Sequence, residues 1–146
     1  MRKFAFILLA VTAFWRVNAA EPTWLTDVPK AQAQAKTENK LVLLDFTGSD
    51  WCGWCIKLDK ETFSKPEFED YAQKNLVLVQ LDYPNKKPQS DELKKANAAL
   101  KDKYNIEGYP TLIALKPDGT VVWKQLGYLP GGPKALIAKL DEAKTK

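Results

Sequence analysis

The only two cysteines in the chain stand three residues apart in Trp51-Cys52-Gly53-Trp54-Cys55, shortly after the apolar run Leu41-Val42-Leu43-Leu44-Asp45-Phe46. Such a run, without polar alternation, reads as a strand buried on both faces. The pair therefore sits where a central strand hands over to a helix. A helix starting near Cys52 points its unpaired N–H groups and positive dipole end at the first sulfur, which favours thiolate, the form that attacks disulfides.

Other uses of the pair fit less well. A structural staple closing so small a loop removes roughly 2 kcal/mol of unfolded-chain entropy, against about 3 for a fifteen-residue loop. Tetrahedral zinc wants four Cys or His ligands, and the chain offers two Cys and no His. Gly53 and the flanking tryptophans mark a tight, partly exposed turn, which argues against inert buried thiols. Redox chemistry is the reading, and it requires no cofactor and no metal because the dithiol is itself the redox group.

Met1-Arg2-Lys3 is a basic head, Phe4 to Trp15 is an apolar stretch, and Val17-Asn18-Ala19 offers small residues for a signal peptidase. Residues 1–19 are expected to be a cleaved secretory signal, which implies a secreted or periplasmic protein. The apolar stretch is too short to span a bilayer and Arg16 interrupts it, so no stable membrane anchor is expected. Losing Arg2, Lys3 and Arg16 from the 22 basic residues leaves 19 against 18 acidic, a net charge of +1. The pI near 9.0 is thus largely a property of the signal, and there is no electrostatic case for nucleic acid. Residues 20–146 suffice for one domain with its own core and are too few for two.

Along that domain helices alternate with strands. Asp27 caps a helix with Pro29 in its first turn, running to about Asn39. Strand 41–47 follows, then a helix from about Cys52 to Phe63 and a second helical piece opened by Pro66, with Phe68, Tyr71 and Ala72. The run Leu76 to Asp82 is the next strand. Pro84 to Gln89 has the chemistry of a surface loop. Ser90 caps a helix carrying Leu93, Ala96, Asn97 and Leu100 on one face. Thr111–Lys116 and Thr120–Leu126 flank Pro117-Asp118-Gly119, a hairpin signal. Pro133 opens a last helix with Leu136, Ile137 and Leu140 inward. The order implies an α/β fold: a mixed sheet of four strands, or five, with helices on both faces and the dithiol at the carboxyl end of a central strand.

The Trp-Cys-Gly-x-Cys motif after an Asp-Phe strand end, Gly108-Tyr109-Pro110-Thr111, the Pro117-Asp118-Gly119 hairpin and Gly127 together resemble the thioredoxin superfamily, in particular its secreted single-domain members. The resemblance covers about residues 38–143 and implies the thioredoxin fold. It matches Cys52 to the exposed attacking thiol and Cys55 to the buried resolving thiol. It matches Pro110 to a cis proline facing the dithiol, with the Tyr109 backbone pairing with an extended substrate segment. Trp51, Gly53, Trp54 and Gly127 complete the implied substrate surface, and Asp45 matches a buried acid that exchanges a proton with the resolving thiol.

Three departures stand out. Thr47-Gly48-Ser49-Asp50 is one residue longer than the family pattern, Trp54 stands where thioredoxins proper carry proline, and strand 76–82 lacks a lysine that many relatives pair with the buried acid. Lys57 favours a thiolate nearby and Asp50 opposes it. The implied activity is thiol–disulfide exchange with protein disulfides, most simply as a monomeric reductase reset by a thiol electron donor, either another thioredoxin-like protein or a membrane reductase. Isomerase and oxidase roles, a binding module with a vestigial dithiol, and a Cu(I)-type metal carrier are the alternatives.

Overall fold

The computed structural model describes residues 22–145; the expected signal lies outside the described residues. Five strands form one sheet in the order β1-β3-β2-β4-β5. Strand β2 (Leu41–Thr47) is central. It pairs in parallel with β3 (Leu76–Asp82) along its whole length and antiparallel with β4 (Thr111–Leu115). Strand β5 (Val121–Leu126) closes one edge as the second arm of the hairpin, whose turn is made by Gly119 at φ +91. At the other edge a two-residue strand, β1 (Trp24–Leu25), pairs with β3. This fifth strand is too short to show any alternation in sequence.

Local chemistry sets the helix ends. Asp27 accepts the Lys30 N–H at 2.8 Å to start α1 (Val28–Glu38), which ends where Asn39 turns left-handed at φ 53. Ser90 accepts the Leu93 N–H at the start of α4 (Asp91–Lys103). The helix expected over 52–63 divides into α2 (Gly53–Leu58) and a π-helical turn, Asp59–Phe63. There Ser64 N–H reaches back to the Asp59 carbonyl at 2.9 Å. The wider turn brings two successive residues inward, Thr62 and Phe63. Helices α3 (Pro66–Asn75) and α5 (Gly132–Lys144) complete the set.

Alternation along β2 divides the core in two. Leu41 and Leu43 face a cluster with Leu58, Phe63, Phe68, Ala72, Leu136 and Leu140, from α2, the π turn, α3 and α5. Val42, Leu44 and Phe46 face Val28, Ala31 and Ala35 of α1, with Leu100 of α4 and Tyr104 just after it beside them. Two side chains depart from expectation. Ala96 of α4 is exposed and Ile137 of α5 only half-buried, because each helix touches the sheet through a narrower stripe than its apolar residues suggest.

Period two also dictates that Asp45 shares the face of Leu41 and Leu43, beneath α2, where it is buried with 4% exposure. Phe68 is fully buried and packs on Phe63 with ring centroids 5.1 Å apart. Phe68→Ala is therefore expected to cost about 3–5 kcal/mol, whereas Val121→Thr on the half-exposed edge strand should stay within about 0.5 kcal/mol. Urea unfolding of the oxidised protein measures both.

Candidate active site

The end of β2 delivers the chain into a turn in which Cys52 N–H donates to the Gly48 carbonyl at 2.8 Å. Gly48 is required at this bend by close approach: a Cβ there would lie 2.4 Å from the Trp51 ring. Cys52 then caps α2, its Sγ accepting the Cys55 N–H at 3.2 Å, and the two cysteines form a disulfide. The expected exposed attacking sulfur is a correction: Cys52 is 6% exposed and Cys55 5%. In this oxidised state the Cys52 sulfur is bonded to Cys55 and sits at the first turn of α2.

What is exposed is the aromatic surround. Trp51 and Trp54 are 45% and 58% exposed, so Trp51 is not core packing. The Trp51 indole N–H donates to the Tyr83 carbonyl at 2.8 Å and its ring meets Tyr109 edge-on at 5.7 Å. Trp54 lies against Tyr128 at 5.4 Å, and the Lys57 ammonium covers both rings at 5.2 and 5.1 Å. The Tyr109–Pro110 peptide is cis and Pro110 is buried. Gly127, at φ +81, donates its N–H to the Pro110 carbonyl at 2.8 Å, so it acts on the site through the proline segment.

Asp45 and Cys55 line one cleft of about 300 Å³ together with Thr47, Asp59, Gln80 and Lys87. The longer segment before Cys52 has not carried the carboxyl away from the dithiol. Burial, then the like charges of Asp59 and Asp82, push the Asp45 carboxyl up to about 8. Its Oδ1 has no hydrogen-bond partner, and the residue opposite it on β3 is Gln80, where a lysine would have lowered that value. Asp59 was not anticipated from sequence. Its signal was there in the spacing, because a residue four beyond Cys55 faces the same way from the helix.

Asp50 is turned toward the segment after β3. Its carboxylate accepts the backbone N–H groups of Asn85, Lys86 and Lys87, which hold it below the usual carboxylate range. Ser49 donates its hydroxyl and its N–H to Asp82 at 2.6 and 2.9 Å, and Lys87 donates to the Ser49 hydroxyl at 3.0 Å. Among the described residues no group of three or more His, Cys, Asp or Glu is placed to hold a metal ion.

Residues 28–144 match the Thioredoxin-like domain family. The chain is 34% identical over 127 residues to the disulfide bond reductase DsbH of Chlamydia pneumoniae, covering 87% of this chain and 75% of that protein. It is 33% identical over 101 residues to the thioredoxin-related protein DsbJ of the same organism, of which it spans 29%. The solved structure of a DsbH oxidoreductase superposes with a TM-score of 0.81 at 31% identity, covering 95% of each chain. The C-terminal domain of Neisseria meningitidis DsbD in its oxidised form shares the fold at 19% identity and a TM-score of 0.60.

The Asp45 carboxyl ties stability to pH. Between the ordinary carboxylate value and about 8 the native state keeps a proton that the unfolded chain has released. Stability should therefore fall as pH rises through that window, by up to about 1.4 kcal/mol per pH unit, and level off above it. Asp45→Asn should flatten the slope, and Asp59→Asn should move its upper end to lower pH. Urea midpoints of the oxidised proteins across that range measure the effect.

Proposed function

The chain belongs to the thioredoxin-like family and is a thiol–disulfide oxidoreductase, and from that premise we propose that it works as an exported reductase of protein disulfides. The observation that carries the reading is a Cys52–Cys55 disulfide whose Cys55 lines one cleft with a buried, proton-holding Asp45. The reductive direction is supported by the likeness to the Chlamydia pneumoniae DsbH reductase.

In this reading the reduced enzyme presents Cys52 as thiolate, favoured by the Cys55 N–H already directed at its sulfur. The thiolate attacks one sulfur of a substrate disulfide; a Cys52–substrate bond forms, the substrate S–S bond breaks, and the departing sulfur takes a proton. Cys55 then loses its proton and attacks the Cys52 sulfur, which restores the Cys52–Cys55 disulfide and frees the second substrate thiol. The substrate gains two electrons and two protons, and the enzyme gives up both electrons. A thiol donor, another thioredoxin-like protein or a membrane reductase, must return them.

Asp45 is the proton-exchange partner of Cys55. With its carboxyl pushed up to about 8, the minor ionised fraction present at neutral pH takes the thiol proton, and the neutral acid returns one in the reverse direction. Trp51, Gly53, Trp54, Tyr109 and Pro110 form the substrate surface, with the Tyr109 backbone offered to an extended segment and Gly127 holding Pro110 in place. Export rests on the basic head, apolar stretch and Val17-Asn18-Ala19 site of residues 1–19, with residues 20–146 as the working, monomeric domain. Among the described residues no helix is long and apolar enough to cross a membrane.

Cys52→Ser should abolish reduction of a protein disulfide. Cys55→Ser should instead accumulate a mixed disulfide through Cys52, visible by mass spectrometry and released by a small thiol. A Cys52→Ser protein that retains full biological function would point to a binding role. Asp45→Asn should slow the resolving step by about a hundredfold at neutral pH, read by stopped-flow release of the reduced substrate.

A further inference from the structure

On the α4 side of the dithiol, Trp51, Tyr83 and Tyr109 wall a groove of about 510 Å³. The rings hold one another in place: Tyr83 and Tyr109 lie 5.2 Å apart, Trp51 is bonded to the Tyr83 carbonyl, and the Tyr83 hydroxyl donates to the Asn97 carbonyl at 2.7 Å. Asn97 forms part of the lining as a buried residue, with its amide on the Asp82 carbonyl and its Oδ1 without a partner. The groove is therefore preformed rather than a gap between mobile side chains.

The charges on its wall are positive. The eleven lining residues include Lys87, Lys94 and Lys101 and no Asp or Glu, while Asp50, Asp91 and Asp102 stand behind or beside the wall. The Lys101 ammonium sits 5.7 Å from the Tyr109 ring, and Lys94 reaches Asp91 only at 3.8 Å with both side chains largely in solvent. The acid behind the groove loop, Asp50, has its carboxylate occupied by three backbone N–H groups.

We propose that this groove selects the partner, taking an extended protein segment next to the partner's reactive cysteine that carries an aromatic or aliphatic side chain among acidic neighbours. The proposal rests on the thiol–disulfide reading of the adjoining site. Trp51 and Tyr109 belong to both surfaces, so a segment that reaches Cys52 passes over the groove mouth. The rings accept the apolar side chain, the lysines meet the acidic neighbours, and a segment with basic neighbours brings like charges together.

Two cysteine-free peptides test this, sharing a central phenylalanine flanked by Asp and Glu in one and by Lys in the other, titrated against the oxidised protein while the Trp51 indole N–H is followed by NMR. The acidic peptide should bind about tenfold more tightly at low salt, and the advantage should shrink as ionic strength rises. The exposed double variant Lys94→Glu/Lys101→Glu should reverse the preference, and Lys94→Gln/Lys101→Gln should erase it. Equal binding of the two peptides, or a preference unmoved by charge reversal, overturns the proposal. Reduction of bis(2-hydroxyethyl) disulfide by the same preparations, with dithiothreitol supplied as the electron donor and its own background subtracted, separates the two claims. Turnover without peptide preference sinks the groove alone, whereas preference without turnover sinks the reductase reading and leaves the groove standing.

Discussion

Strand β2 is hydrogen-bonded along both edges and covered on both faces, so all seven of its side chains are buried. Asp45 is one of those side chains. Placing it there as a carboxylate would cost several kcal/mol with no cation bonded to it, and the group stays largely protonated at neutral pH instead. The proton store beside the dithiol is thus a consequence of the strand's position in the sheet. The same pleat that turns Leu41 and Leu43 into the core turns Asp45 beneath α2, where Cys55 and Leu58 point down.

The turn between β2 and α2 does a different job. Its additional residue relative to the family pattern coincides with a set of bonds to the segment after β3. Asp50 gathers the N–H groups of residues 85–87, Ser49 binds Asp82, and Trp51 binds the Tyr83 carbonyl. A loop rich in lysine and proline is thereby fixed against the motif. The Asp50 carboxylate is directed at backbone donors, and Lys87 is held where it lines both the Asp45 cleft and the aromatic groove.

Much of this was legible in the chain because it is written in local chemistry. The apolar runs of β2 and β3, the caps at Asp27 and Ser90, the Pro117-Asp118-Gly119 turn and the Cys-Gly-Trp-Cys spacing each specify their own neighbourhood. What escaped was set by tertiary contact. Two residues, Trp24 and Leu25, become a strand only because β3 offers an open edge. The π turn exists because Thr62 and Phe63 are both drawn inward, a packing outcome with no residue signature. Ala96 looked like part of an apolar face, yet α4 meets the sheet side through Asn97 and Leu100. Cys52 is buried where its neighbours and Cys55 pack around it, and the weight of Asp59 depends on a cleft formed by several separate elements.

Of the five exposed large apolar side chains among the described residues, two, Val121 and Leu126, lie on the edge strand β5. The other three, Trp51, Trp54 and Ile56, are each about half exposed and stand within the motif or next to it. Large apolar side chains left in water around a reactive centre mark a surface that another molecule covers. Both tryptophans are also restrained, Trp51 by its bond to the Tyr83 carbonyl and its contact with Tyr109, Trp54 by Lys57 and Tyr128, whose hydroxyl donates to Glu61. A partner that lands on rings already held pays less ordering entropy than one that must order them, so a small contact area suffices to recognise it. A small contact suits an exchange reaction, in which the partner must leave once Cys55 has displaced it.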